Sequence, residues 1–297
     1  LEGIAGSILI YFGFDYSWAI SFLVALSFAT VGEAILIPIL EEFNIVNTRL
    51  GQSIIGIGVV DDIIEMLILV IMAVFVGSQS SGQTFLILSA LFVLFTLTIG
   101  FKRLARQGQQ FKFKNVETLF FFVMSVFLIF VGIGWYADAA PIAALLAGVS
   151  IRSFIPRKRF ELIESEVKAM AYGFFVPVFF MSVGLSMDFK QVWLYPVAVV
   201  AVVAVSKSTK ILGAYLVGRR ELGTKQSILF GIGLSVRFST SIVIIKLLYD
   251  NGMVNIDLYS IIVASSIIFK FIVPLLFSYL IVKWGVERHF EIKPKLN

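Results

Sequence analysis

Apolar residues fall into long runs separated by short polar connections. Ten runs can be marked: 1–14, 18–42, 50–76, 84–101, 116–136, 138–151, 169–187, 191–218, 227–250 and 258–283. A straight helix needs about 20 apolar residues to cross a bilayer core, and most of these runs reach or approach that length. The pattern predicts an all-α fold, a polytopic membrane helical bundle. Run 138–151 either merges with its neighbour or packs inside the bundle. The stretch "RSFIPRKRFELIESEVKAM" reads as an interfacial amphipathic helix lying between spans. Run 1–14 opens on Leu1 rather than Met and without a signal peptide, which reads as an N-terminal truncation.

Composition agrees with this reading. Of the 297 residues, 59% are hydrophobic and 14% charged, and the mean hydropathy is +0.97. There is too little polar surface for a soluble globule. Cysteine is absent and the one histidine, His289, lies in the tail. Both facts argue against a disulfide framework, a thiolate or imidazole metal site, and a histidine-based triad. No G-x-x-x-x-G-K-[ST] loop is present, which argues against an ATP-driven pump.

Charge placement orders the runs. If they alternate across a membrane, one side collects 17 of the 24 Lys and Arg, the other collects 1, and six lie within the runs. By the positive-inside rule the basic side is cytoplasmic. It includes "KRLARQGQQFKFK", "RRELGTKQ" and the tail 284–297, and Leu1 falls on the same side. The net charge of +5 is thus a solvated face near anionic lipid. No aromatic platform accompanies it, so no nucleic-acid partner is expected.

The stretch "GVVDDIIEML" (Gly58–Leu67) sets two aspartates and a glutamate inside an apolar run. At a rise of about 1.5 Å per residue, Asp62, Glu33, Lys207, Lys210 and Arg237 all lie about 12–18 Å from the cytoplasmic ends of their runs. Glu65 is deeper and Lys270 is near the middle of its run. Four acids (Glu33, Asp61, Asp62, Glu65) and four bases (Lys207, Lys210, Arg237, Lys270) therefore crowd the midplane. Each unpaired charge there costs about 2.5–3.5 kcal/mol on insertion scales. The groups either pair to hold helices together or line a wet cavity. Adjacent Asp61 and Asp62 favour the cavity. They point about 100° apart on a helix, so one static partner cannot serve both.

Two runs read as interrupted helices. "SFATVGEAILIPIL" (Ser27–Leu40) carries Thr30, Gly32 and Glu33 at mid-run and then Pro38. "GIGLSVRFSTSIVI" (Gly231–Ile244) carries two glycines, Arg237 and several hydroxyls. Unwound backbone at that depth is tolerated only inside protein or beside a cavity. Matching interruptions in the triplets 1–76 and 191–283 suggest inverted repeats around an ion site. For each stretch alone, hydroxyls bonding back to i−4 carbonyls is the simpler alternative.

The chain resembles the monovalent cation:proton antiporter-2 family, which includes sodium/proton and Kef-type potassium/proton antiporters. The resemblance rests on "VGEAILIPILEE", "GQSIIGIGVVDDI", "AALLAGVSI", "YGFFVPVFFMSVGLSMDF" and "KILGAYLVGRRELGTKQSILFGIGLSVR". Members usually have about thirteen spans, so the resemblance implies that the first three are missing. It implies one transmembrane transporter domain over 1–297, with core helices about 18–76 and 191–250, in a homodimer in a prokaryotic inner membrane. It makes Asp62 the residue that takes the cation or the proton. Asp61 matches a position that favours sodium over the Kef type. Lys210 matches the lysine that pairs with the essential aspartate, with Lys207 one turn away as its rival. Many relatives read Arg-Gly-Glu where this chain has Arg237-Phe238-Ser239. Glu33 is therefore expected to replace the missing acid as partner of Arg237, and Glu65 to pair with Lys270 or Lys207.

The function expected is secondary active exchange of Na⁺ (or K⁺, Li⁺) for protons by alternating access, with no cofactor. Asp62, Asp61 and Thr30 would supply oxygens to the bare cation. If Lys210 releases its proton on cation binding, exchange is electrogenic; if it keeps the proton, exchange is electroneutral. A Kef-like potassium/proton antiporter, a cation channel and a non-transporting relative are the alternatives. An enzyme is not expected. Intramembrane proteases use paired aspartates, but from different helices.

Overall fold

The computed structural model describes residues 1–31, 36–58, 60–61, 64, 68, 81–104, 115–136, 139–236 and 239–285. Every regular element among them is helical. Among the described residues, five helices are long and apolar enough to cross a membrane: Phe85–Arg103, Val116–Trp135, Arg157–Leu185, Pro196–Gly233 and Ile256–Trp284. The chain divides into two compact units, one of residues 1–65 with 186–297 and one of residues 66–185.

The first unit opens with a helical hairpin. Helix α1 (Glu2–Phe14) stops at Asp15, whose left-handed backbone (φ 58) turns the chain. Helix α2 (Trp18–Ala29) starts where Ser17 Oγ accepts the Ile20 N–H, the usual service of a serine N-cap. Helix α3 (Ile37–Glu42) begins with Pro38 in its first turn, where a missing N–H costs nothing. Helix α4 covers residues 49–58, with helical residues again at 60, 61, 64 and 68.

Helix α11 (Pro196–Gly233) is two arms rather than one straight helix. Its backbone leaves helical geometry at Gly223 (φ 75), a conformation that favours glycine. The arms then run back along each other. A Cβ on Gly218 would meet Ser227 and Phe230, and one on Gly231 would lie 2.7 Å from Ile211 Cα. The runs expected at 191–218 and 227–250 therefore start on separate arms, joined by the "RRELGTKQ" turn. Gly231→Ala is expected to force the arms apart at about 1–3 kcal/mol, read as a lower thermal midpoint in detergent. An unchanged midpoint would show that the arms do not need this approach. Helix α12 (Ser239–Asp250) leads to α13 (Ile256–Trp284), which Asn255 caps by accepting the Leu258 N–H.

Tyr16 Oη accepts the Asn255 N–H at 2.9 Å, so the α1–α2 and α12–α13 turns share one end of this unit. Near it, Asp188 N–H donates to Ser260 and Asp188 caps the short helix α10 (Phe189–Leu194), which carries Lys190. At the other end Phe43, Val46, Leu222, Leu280 and Trp284 pack on one core with Leu40, Ile45, Phe277 and Ile281. Arg49, Arg219, Arg220, Lys225 and Lys283 border that end.

The second unit holds α5 (Ser81–Arg103), α6 (Val116–Trp135), α7 (Ala140–Phe154), α8 (Arg157–Met170), a π-helical turn at Ala171–Phe175 and α9 (Val176–Leu185). Run 138–151 does not merge with its neighbour. It is helix α7, packed against α5 and α6 through Ala143, Leu146, Ala147 and Ile151. The expected amphipathic helix is present as α8, with i,i+4 pairs Arg157–Glu161 and Glu164–Lys168 on its exposed side. It differs from expectation in one respect. It does not lie as a separate element between spans, because helical backbone continues through the π turn into α9. No proline or glycine cap stops it; Pro156 stands at its start instead.

Candidate functional site

Both expected interruptions are breaks in helical backbone. Helix α2 ends at Ala29, and Thr30 (φ −67, ψ 163) is extended; α3 starts at Ile37. The second arm of α11 ends at Gly233, and α12 starts at Ser239. The simpler alternative also operates. Ser27 and Ser235 hydroxyls donate to the carbonyls of Val24 and Gly231, and the Thr30 hydroxyl donates to the Ser27 carbonyl at 3.4 Å. Back-bonding does not replace the breaks; it accompanies them.

A helix end leaves carbonyls and N–H groups without intrahelical partners, and buried ones must find others. Charged side chains supply them. At the first break the Val31 N–H donates to Asp61 Oδ2 at 2.5 Å. Lys210 Nζ donates to the carbonyls of Ala29 (2.9 Å) and Thr30 (2.8 Å). At the second break Lys207 Nζ donates to the Ser235 carbonyl at 2.6 Å and lies 3.9 Å from the centre of the Phe269 ring. Each cation meets the carbonyl-rich end of a helix, where the backbone dipole favours positive charge. Over the ring, Lys207 gains a cation–π contact.

Lys207 and Lys210 were rival candidates for one role. That role, pairing with Asp62, falls outside the described residues. One turn apart on the first arm of α11, they serve different breaks, Lys210 the first and Lys207 the second. Thr30 is buried (4% exposed). Its carbonyl faces Lys210, while its hydroxyl turns back to Ser27.

One participant was missed from the sequence. Glu2 on α1 is buried, and its Oε2 lies 3.0 Å from Lys210 Nζ. Its Oε1 accepts a short hydrogen bond from Ser206 Oγ, one turn before Lys210. The signal was available in the "LEGIAGSILI" stretch. Glu2, Gly6, Ser7 and Ile10 form the buried face of α1, at the spacing of a single helical stripe.

Four of the expected residues, Glu33, Asp62, Glu65 and Arg237, lie outside the described residues. The expected pairs Asp62–Lys210, Glu33–Arg237 and Glu65 with Lys270 or Lys207 lie outside with them. Lys270 sits half-buried on α13 beside Phe269. Asp61, Thr30, Lys207, Lys210 and Glu2 are brought together around the first arm of α11. Among the described residues no group of three or more His, Cys, Asp or Glu could hold a metal.

Comparison with known proteins bears on this arrangement. Residues 1–283 match the family model described as sodium/hydrogen exchanger, transmembrane. A protein named Na(+)/H(+) antiporter from Enterococcus hirae is 27% identical over 259 residues, covering 84% of this chain and 67% of that protein. Probable Na(+)/H(+) antiporter 3 of Methanocaldococcus jannaschii is 24% identical, covering 88% of this chain and 69% of its own length. Na(+)/H(+)-K(+) antiporter GerN of Bacillus cereus is 25% identical, covering 83% and 64% respectively. With apolar spans, paired helix breaks and a family match that runs over nearly all of its length, the chain belongs to the sodium/hydrogen exchanger family of transmembrane proteins.

Proposed function

We infer that this chain is the transport core of a sodium/proton antiporter, an integral membrane protein that exchanges a monovalent cation for protons. The observation that carries this reading is the convergence of Asp61, Lys210 and Lys207 on two interrupted helices. An interruption presents free carbonyls and N–H groups at one place, and ionisable side chains beside them can take and release charge. The names of relatives from Enterococcus, Methanocaldococcus and Bacillus support sodium and protons as the exchanged ions.

Asp62 is the residue that alternates between proton and cation, with Asp61 beside it. The aspartate pair and Lys210 in "KILGA" support placement in the cation:proton antiporter-2 branch. Matching breaks in 1–76 and 191–283 support inverted repeats that rock to give alternating access. The basic end of the first unit supports a cytoplasmic C-terminus in a prokaryotic inner membrane, and the family resemblance supports a homodimer. Transport, not catalysis, is the role of the buried acids, and no cofactor takes part. A second reading, potassium as an exchanged ion, is favoured by the name of the Bacillus relative.

The test is cation-driven proton movement in liposomes that hold the full-length protein and a trapped pH dye. Addition of Na⁺ to a proton-loaded vesicle is expected to draw protons out, with Li⁺ and K⁺ run beside it. Cation flux indifferent to pH would indicate a channel instead. No flux of any kind from folded protein would defeat the antiporter reading.

A further inference from the structure

In the second unit, α6, α7, α8 and the π turn border a partly open apolar cavity of about 270 Å³. Val123 and Phe127 of α6, Ala144 and Gly148 of α7, and Phe160 and Val167 of α8 line it. Met124 and Met170 add flexible thioether walls, which adapt to the shape of what they touch. Along α8 and the π turn the lining runs from Phe160 to Phe175, about 20 Å of axis at 1.5 Å per residue. A cavity so long for its volume is a slot, and a slot suits a hydrocarbon chain better than a compact molecule. The π turn (Ala171–Phe175) contributes to one wall, and such turns are frequent at functional sites.

One end of the slot is basic. Arg152 lies in the last turn of α7, and its guanidinium is 5.8 Å from the centre of the Phe160 ring. Phe160 lines the slot, as does Ile151 beside Arg152, so a cation stands at the slot's edge. Arg157, Lys158 and Arg159 open α8. Phe101 packs edge-on against Phe154 with ring centres 5.5 Å apart, which brings the last turn of α5, with Lys102 and Arg103, to the same end. Carboxylates are present in smaller number. Glu161 meets Arg157 and Glu164 meets Lys168, and the Glu164 carboxyl also lies within electrostatic reach of Arg152 and Arg157. With Glu117 at the start of α6, residues 102, 103, 117 and 152–168 carry seven Lys or Arg against four Glu.

We propose that this slot binds an anionic phospholipid, with one acyl chain laid along α8 and the headgroup phosphate at Arg152. The proposal is independent of which ions the protein exchanges. In a bilayer an apolar slot takes a lipid tail rather than water, because water there lacks polar partners and the tail supplies dispersion contacts to the walls. Charge decides which lipid. Phosphate oxygens accept charge-assisted hydrogen bonds from a guanidinium, and an anionic headgroup is drawn to clustered Lys and Arg. A zwitterionic headgroup brings its own cation to an end that already has an excess of them. Bound in this way, the lipid touches α6, α7 and α8 together and ties them to one another.

The experiment takes the full-length protein, stripped of lipid in detergent, and follows its thermal midpoint as phosphatidylglycerol or phosphatidylcholine is added in mixed micelles. Phosphatidylglycerol is expected to raise the wild-type midpoint by roughly 5 °C at about a hundredfold excess over its dissociation constant, and phosphatidylcholine by clearly less. Arg152→Gln should make the two lipids equal, because it removes the cation at the slot's edge. Gly148→Leu should remove the shift by either lipid. A Cβ at Gly148 meets no atom within 4 Å, so the longer side chain enters the slot and the lipid-free midpoint should hold. Native mass spectrometry reads the same binding without heating, and it serves if Gly148→Leu is unstable: phosphatidylglycerol should stay on the wild type and leave Arg152→Gln more readily. Equal shifts by the two lipids on the wild type, or a wild-type response in both variants, overturn the proposal. So does a changed oligomeric state in Gly148→Leu without any lipid effect, which would assign the slot to a second copy of the chain.

Discussion

Asp62→Asn is expected to abolish cation-driven proton movement, leaving a rate roughly a hundredfold or more below wild type, which corresponds to about 2.7 kcal/mol on a barrier. Asparagine has the shape of aspartate. It carries no exchangeable carboxyl proton and no negative charge to offset a bare cation. The folded state should not suffer. A charge is removed from a place where insertion alone costs about 2.5–3.5 kcal/mol, so the thermal midpoint in detergent should stay level or rise. Asp61 supplies the contrast. Its carboxylate takes the Val31 N–H at the first break, and an asparagine oxygen can still do so. Asp61→Asn should therefore keep the break and retain part of the activity. Asp61→Ala orphans that N–H at a cost of about 1–3 kcal/mol and should lower the midpoint. Exchange at the wild-type rate in Asp62→Asn would remove Asp62 from the ion path.

The breaks were legible because they offend against the apolar pattern. Gly32, Glu33, Gly231, Gly233 and Arg237 interrupt runs that are otherwise continuous, and helices stop there, at Ala29 and Gly233. The turn at Gly223 was legible in the same way, since three basic residues and a glycine separate two apolar stretches. What could not be read was the partner of each charge. A tally of acids against bases assumes that side chains pair with side chains. Among the described contacts, Lys207 gives a hydrogen bond to one backbone carbonyl and Lys210 to two, and every residue in the sequence has a backbone carbonyl to offer. Glu2 escaped for a related reason. An acid in the first turn of a run reads as the wet end of a span. In the fold Leu1 packs against Gly213, well short of the Gly223 turn, so Glu2 stands at the level of Ser206 and Lys210. The extent of α8 was misread because its polar face resembled a boundary. Helical hydrogen bonding does not stop at a change of polarity, and no residue there prevents it from continuing.

Removal of the Lys210 amine should show how much of the site hangs on one side chain. Lys210→Met keeps the volume of the stem and deletes the head. The Ala29 and Thr30 carbonyls lose their donor and the Glu2 carboxylate loses its countercharge at once. Breaking a buried pair from one side typically costs about 3–5 kcal/mol. Because both partners here are nearly enclosed (6% and 11% exposed), little of that is returned by solvent. For a chain of this size the thermal midpoint is expected to fall by about 5–15 °C. Exchange should drop roughly tenfold or more, equivalent to about 1.4 kcal/mol on a barrier, because the first break loses the clamp that fixes Thr30 and Val31 beside Asp61. Lys210→Arg should not rescue it fully, since a planar guanidinium cannot aim three donors at acceptors spread around a compact ammonium. Lys207→Met is the measure of specificity. It frees the Ser235 carbonyl at the second break and gives up the Phe269 ring contact, so its midpoint, set beside that of Lys210→Met, compares the two breaks. A normal midpoint with normal exchange in Lys210→Met would mean that the first break holds its shape without a cation, and that the proton-coupling role belongs elsewhere on α11.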